Sequence, residues 1–134
     1  MAASRGTGRI NPIQFEVVRS SLTQVAEEMA AALRRSAYST NVKTRQDFSC
    51  AFFDRNARPV SQAFTQPVHL GSFVELIPTS VKTYGAENLD PGDMLVVNNP
   101  FGGGSHLNDV TVFGPVHHDN ALVGYVASLA HHVD

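Results

Sequence analysis

The stretch N-N-P-F-G-G-G-S-H-L-N-D-V, residues 98–110, runs directly into T-V-F-G-P-V-H-H-D-N-A-L-V-G-Y-V-A-S-L-A-H-H, residues 111–132. How these two pieces are read decides the architecture. Three successive glycines, Gly102 to Gly104, make a poor helix or strand interior. They let the backbone turn sharply and approach a neighbour or a ligand closely. Asp109 to His117 is rich in Val, Thr and Phe, His118-Asp119-Asn120 supplies turn chemistry, and Ala121 to His132 returns with Val, Leu and Tyr. That is a β-hairpin. A turn centred on Asp119 and Asn120 sets Asp109 opposite Ala130, beside His131, and leaves His106 just past the end of the ladder. Opposed residues in such a pair lie about 5 Å apart, so a histidine, a carboxylate and a second histidine converge at one end of the hairpin.

His106 and Asp109 form H-x-x-D, a weak signal by itself because the side chains meet only if the loop curls. With His131 added, the set becomes two histidines and one carboxylate with positions open for water or substrate. Such a set suits Zn²⁺, Mn²⁺ or Fe²⁺. The chain has six histidines, at 69, 106, 117, 118, 131 and 132. Adjacent strand residues point to opposite faces, so only one member of each pair can enter a given site. His117 and His118 lie at the turn and are expected to face solvent. The glycine loop follows a strand, as a phosphate loop does. It lacks the G-x-x-x-x-G-K-[ST] lysine and the G-x-G-x-x-G spacing, and β-structure rather than a helix follows it. It reads instead as a pocket wall.

Working back from the loop, Met94 to Val97 is a short apolar strand, and Asn88 to Asp93 holds a Pro-Gly turn. Ser72 to Glu75 offers a capping box for a helix carrying Phe73, Val74, Ile77, Val81 and Tyr84, with Pro78 as a kink or restart and Gly85 as its stop. Pro67 to Gly71 reads as a loop. His69 within it is a hydrogen-bonded loop histidine or, alternatively, a ligand or substrate contact. Asp47 to Phe53 reads as a strand with Phe48, Cys50 and Phe52 on one face and Ser49 and Ala51 on the other. Pro59 to Phe64 returns beside it. Asp47, at the strand's start, is a surface or capping carboxylate or a functional one. Cys50, between phenylalanines, is a small core residue rather than a nucleophile.

At the front, Asn11-Pro12-Ile13-Gln14 has a cap, a proline at the first helical position and a capping-box glutamine. Val18, Leu22, Val25, Met29 and Leu33 follow as one stripe, and Arg34 and Arg35 suit the end of a helix of about 24 residues. The expected fold is α+β: this long N-terminal helix packed on a mostly antiparallel sheet, with a second helix and the C-terminal β-hairpin.

The chain has 134 residues, enough for one domain with a real core, and 43% are hydrophobic and 16% charged. A net charge of −2 gives no electrostatic reason to expect nucleic acid. No apolar run approaches the roughly 18 residues of a membrane span. A single cysteine excludes an intramolecular disulfide and suits the cytoplasm. Residues 1–10 read as a flexible tail. The chain stops at His131-His132-Val133-Asp134, inside the stretch of greatest interest, which reads as the N-terminal piece of a longer polypeptide.

Six stretches resemble, in order, the N-terminal part of the hydantoinase B/oxoprolinase family, which includes the acetone carboxylase alpha subunits. They are N-P-I-Q-F-E-V-V-R-S-S-L, A-E-E-M-A-A-A-L-R-R-S-A-Y-S, R-Q-D-F-S-C-A-F-F-D, Q-P-V-H-L-G-S, P-G-D-M-L-V-V-N-N-P-F-G-G-G-S-H-L-N-D-V and the terminal A-H-H-V-D. The resemblance makes residues 11–134 the N-terminal portion of a hydantoinase B-like metal-binding domain. It implies a B-type subunit of a cytoplasmic, ATP-dependent cyclic amide hydrolase, inactive as this fragment alone. A hydantoinase A-like partner would use the ATP to activate the substrate, in a hetero-oligomer. It also implies a divalent metal held by His106, Asp109 and His131, with Asp47 as a further ligand. His69, Asn99, Gly103, Gly104, His132 and Asp134 would lie against the substrate or behind the ligands. An acetone carboxylase-like metal-dependent carboxylase and a non-catalytic assembly domain are the alternatives. The chain departs from the family's N-D-P-Y at Asn98-Asn99-Pro100-Phe101 and from its L-P-D at Leu107-Asn108-Asp109. The first departure removes a carboxylate at 99 that would support a ligand from behind.

Overall fold

The computed structural model describes residues 11–133. The tail expected over 1–10 and the carboxylate of Asp134 lie outside them. Helix α1 spans Pro12–Ser36 and a single-turn helix α2 spans Thr40–Lys43. Strands β1 (Phe48–Asp54) and β2 (Pro59–Gln62) follow, then helix α3 (Pro67–Tyr84), strand β3 (Leu95–Val97) and the hairpin β4 (Asp109–His118) and β5 (Ala121–His131). The five strands form one sheet in the order β2-β1-β5-β4-β3, every pair antiparallel. This is the α+β arrangement the sequence implies.

The start of α1 follows its sequence signals. Asn11 Oδ1 accepts the Ile13 amide, and Gln14 Oε1 accepts the Asn11 amide. The buried line differs from the expected stripe. Ala26 and Ala30, with Met29 and Leu33 beside them, pack on Phe48 and Cys50 of β1, whereas Val18 and Val25 are exposed. Two alanines let the helix axis approach the sheet where larger side chains would hold it off.

Helix α3 covers the opposite face. Phe73, Leu76 and Ile77 meet Phe53, Phe113 and Tyr125, with Phe53 and Phe73 edge to face at 5.9 Å between ring centroids. Strand β1 is therefore buried on both faces. Its alternation divides Phe48 and Cys50, toward α1, from Ala51 and Phe53, toward α3.

Two expectations for α3 need correction. The helix begins at Pro67, so Pro67 to Gly71 is its first turn and a half rather than a loop. Proline's fixed φ suits the first helical position and removes an amide that has no partner there anyway. Ser72 then lies inside the helix, and its hydroxyl bonds back to the Val68 carbonyl instead of capping. Pro78 neither ends nor restarts the helix. The carbonyl it leaves unpaired belongs to Val74, an exposed residue where water can replace the lost amide.

The hairpin turns at Asp119 and Asn120, whose φ values of 48° and 61° define a two-residue turn with both centres left-handed. The register is one residue away from the expected one. Val116 pairs with Gly124 but His117 pairs with Leu122, so Val123 is an extra residue on β5. That bulge sets Asp109 opposite His131 rather than Ala130. His117 also differs from expectation. It sits in the ladder, half-buried, while His118 is exposed. Because this turn demands positive φ at both centres, Asn120→Gly is expected to raise stability by up to about 1 kcal/mol. A lowered midpoint in a thermal melt would contradict the turn assignment.

Candidate metal centre

Asp109 is the first residue of β4 and His131 the last of β5, and the register pairs them directly. Period-two alternation places Asp109 on the same face as buried Thr111 and Phe113, toward α3. The Asp109 amide donates to the His106 carbonyl at 3.1 Å, closing a tight turn that folds H-x-x-D back on itself. The three side chains then meet. Asp109 Oδ1 lies 2.9 Å from His131 Nδ1 and 3.4 Å from His106 Nε2, and the two imidazole nitrogens are 3.0 Å apart. Ligand bonds of about 2.0–2.2 Å bring neighbouring donors of one cation to roughly 3.0–3.5 Å, so these separations suit a shared divalent ion. One carboxylate and two imidazoles are the mixed donor set that Zn²⁺, Mn²⁺ and Fe²⁺ accept.

Burial grades across the site. The Asp109 side chain is 1% exposed, His131 24% and His106 53%, so the trio is accessible from the His106 side. Burial alone would push the Asp109 carboxyl up. The hydroxyl of Ser105 and the ring of His131, both hydrogen-bonded to it, outweigh that and hold it below the usual carboxylate range. Asp109 is thus kept as an anion, the form a cation needs.

Asp47 stands one residue ahead of β1, and its carbonyl accepts the His131 amide at 3.0 Å, extending the β1–β5 pairing to the site. Its carboxylate is not in the close trio but lies 3.5 Å from His69 Nε2, which is itself 3.9 Å from Asp109 Oδ2. His69, in the first turn of α3, is buried at 2% exposure. Burial lowers its pKa, against the pull of Asp109 and Asp47. Sequence reasoning did not single out Ser105, whose hydroxyl bonds the Asp109 carboxylate, or Ser49, whose hydroxyl lies 3.3 Å from His69 Nδ1. Ser49 was within reach, because a strand's alternation puts residues 47 and 49 on one face.

The remaining named residues have contacts of their own outside the trio. Asn99 Oδ1 accepts the Phe101 amide and caps a short 3₁₀ turn over Pro100–Gly102, a task asparagine performs as well as aspartate. Gly103 and Gly104 pack their backbone on Leu76 and on Asn99, close enough to exclude a side chain. His132 is exposed; its amide and carbonyl bond to Asn108 across the strand ends. Cys50 is fully buried, and burial pushes its thiol up. Iodoacetamide at neutral pH is therefore expected to leave the folded chain unlabelled and to modify it once denatured. Rapid labelling of the native protein would contradict the packing of β1 under α1.

Two imidazoles and a carboxylate thus meet at a sheet end flanked by a glycine loop, a mixed donor set of the kind divalent metal ions accept. The profile of the family described as Hydantoinase B/oxoprolinase matches residues 11–134, and the chain belongs to that family. It is 43% identical over 122 residues to 5-oxoprolinase 1 of Arabidopsis thaliana, covering 91% of this chain and 10% of that one. It is 32% identical over 129 residues to a protein named as a D-/L-hydantoinase subunit from a Pseudomonas species, covering 94% of this chain and 22% of that protein. The chain spans between 9% and 23% of the length of the curated relatives it matches. The crystal structure of the ATP-dependent caprolactamase from Pseudomonas jessenii superposes with a TM-score of 0.74 at 27% identity, over 95% of this chain and 22% of that one. Nucleotide-free acetone carboxylase shares the fold, with a TM-score of 0.79 at 18% identity over 90% of this chain and 16% of that one. Among the described residues no helix is long and apolar enough to cross a membrane.

Proposed function

We propose that this chain supplies the metal-binding part of a B-type subunit in an ATP-dependent cyclic amide hydrolase of the cytoplasm. The observation that carries the reading is the meeting of His106, Asp109 and His131 at one sheet end. Those three side chains would hold a divalent cation, with Asp47 as the further carboxylate. A cation bound there supplies a Lewis acid for the carbonyl oxygen of the amide. The chain's own residues do the rest. Asp109 stays ionised and buried, the exposed His106 edge faces the incoming substrate, and Gly103 and Gly104 hold the loop that walls the site. ATP belongs to a hydantoinase A-like partner in a hetero-oligomer, which activates the amide before the ring opens. The 5-oxoprolinase and hydantoinase names among the relatives, and the caprolactamase among the structures, support a lactam or hydantoin as substrate.

Elemental analysis of the chain beside His106→Ala tests the centre: equal metal content in the two proteins would reject it. The reaction is tested in the assembled complex. ATP-dependent opening of 5-oxoproline or hydantoin without bicarbonate is expected, and turnover that requires bicarbonate would assign a carboxylase instead. Unchanged turnover after replacing all four ligands would leave an assembly domain.

A further inference from the structure

Four of the ten lysines and arginines, Arg34, Arg35, Lys43 and Arg45, fall between Met29 and Gln46, and none of the twelve acidic residues does. The fold gathers these cations where α1 ends and α2 follows. Arg34, Arg35 and Lys43, together with Ala31, line one cavity of about 290 Å³. Arg34 Nε donates to the Lys43 carbonyl at 3.2 Å, which ties the two helices and holds the guanidinium at the cavity. Arg19 and Arg58 each meet a carboxylate at 2.8 Å, whereas among the described residues no carboxylate pairs with Arg34, Arg35 or Lys43.

Cations in the last turn of a helix offset the partial negative charge of its carbonyl end, and all three stand in last turns. That accounts for one charge at each end. It does not account for three around one hollow, where they repel one another unless an anion lies between them. The cavity is near the lower bound of the roughly 300–1,000 Å³ of small-molecule sites, so a compact anion fits and a folded segment does not. A net charge of −2 also opposes a long polyanion such as nucleic acid. A single carboxylate would neutralise one of the three charges. A phosphoryl group, with a charge of about −1.5 to −2 and three acceptor oxygens, matches more of the charge and more of the donors. The next hollow along α1 bounds the site. It shares Ala31 and Arg34 but is also lined by Glu27, whose carboxylate accepts the Phe64 amide at 2.7 Å. Negative charge on that side steers an anion to the Arg35 and Lys43 end.

We infer that the α1–α2 corner is a binding site for a small phosphoryl-bearing anion, held by Arg34, Arg35 and Lys43. Arg34 supplies a fork already fixed by its own Nε bond, so little freedom is lost when its terminal amino groups engage the anion. Arg35 and Lys43 approach from the ends of two different helices. Arg45, two residues beyond α2, adds positive potential without lining the cavity. None of these residues belongs to the proposed metal centre, so the inference does not rest on that reading.

Isothermal titration calorimetry of the full chain with pyrophosphate tests this, in EDTA and at fixed ionic strength so that no metal ion takes part. Saturable binding at one site per chain is expected, with inorganic phosphate competing. Arg35→Gln and Lys43→Gln, each checked for folding by circular dichroism, are expected to bind at least about 10-fold more weakly. Arg34→Lys keeps the charge but loses the fork, and it is expected to lose affinity as well. Arg19→Gln removes the same charge elsewhere on α1, and His106→Ala alters the proposed metal centre; both are expected to bind pyrophosphate as the wild type does. A fall in Arg19→Gln equal to that in Arg35→Gln would reduce the effect to net charge. An equal fall in His106→Ala would move the anion to the metal centre. Either result overturns the site, as does wild-type affinity in folded Arg35→Gln and Lys43→Gln, or no binding of pyrophosphate at all. Tighter binding of a penta-aspartate peptide than of pyrophosphate also overturns it, and would give the corner to an acidic protein segment.

Discussion

Asp109→Asn is expected to lower the affinity for Zn²⁺ or Mn²⁺ at least about a hundredfold in chelator competition, while the chain stays folded. Altering a group behind a metal ligand commonly costs about 10- to 100-fold in affinity, and replacing a ligand should exceed that. The substitution keeps the shape that fills the space between Ser105, His106 and His131, and it keeps an oxygen for the Ser105 hydroxyl to approach. It removes the one fully buried negative charge of the trio. An amide oxygen is a far weaker donor to a divalent ion than a carboxylate, and the amide nitrogen is no donor at all. His118→Ala supplies the contrast, since that ring is 82% exposed at the other end of the hairpin. It should bind metal as the wild type does. Equal affinities for Asp109→Asn and His118→Ala would mean that the meeting of the three side chains has no role in holding a cation.

The meeting of Asp109 and His131 was legible because both lie in one hairpin, with His106 three residues ahead of it. The alternation of Val, Thr and Phe after Asp109, the Asp119-Asn120 turn and the returning strand are local signals, and together they fix which ends meet. The bulge at Val123 was not legible. Nothing in V-G-Y-V marks one residue as extra, and the bulge changed the partner of Asp109 by one position. The error was harmless to the site, because His131 was already adjacent to the expected partner. His69 was harder. Its sequence neighbours gave a proline that reads equally as a loop or as a helix start. Its neighbours are Asp47, Ser49 and Asp109, residues 20 to 40 positions away that only the docking of α3 brings near. The stripe on α1 failed for a related reason. Periodicity identifies an amphipathic helix but not which part of it the sheet reaches, and only the half around Ala26 and Ala30 is covered.

Gly103→Ala tests the link between the glycine loop and the site. The residue has φ of 100°, a conformation that disfavours any side chain. A methyl group there would lie 2.7 Å from the Leu76 amide nitrogen and 3.0 Å from Glu75, both on the α3 surface. Backbone on a packed helix cannot step aside as a flexible side chain would, so the loop must lift or the helix must shift. Left-handed strain costs about 1–3 kcal/mol and overpacking a similar amount, so a loss of about 2–4 kcal/mol is expected. For a domain of this size that lowers the melting midpoint by about 10 °C. Gly71→Ala is the internal control. It lies in the same helix with nothing within 4 Å of the added carbon, and it should leave stability unchanged or raise it by up to about 1 kcal/mol. The loop also carries Ser105 and His106 only two and three residues further on, so lifting it should weaken metal binding as well as folding. A folded Gly103→Ala with a wild-type midpoint would show that the loop does not rest on α3, and that His106 is held by the turn before β4 alone.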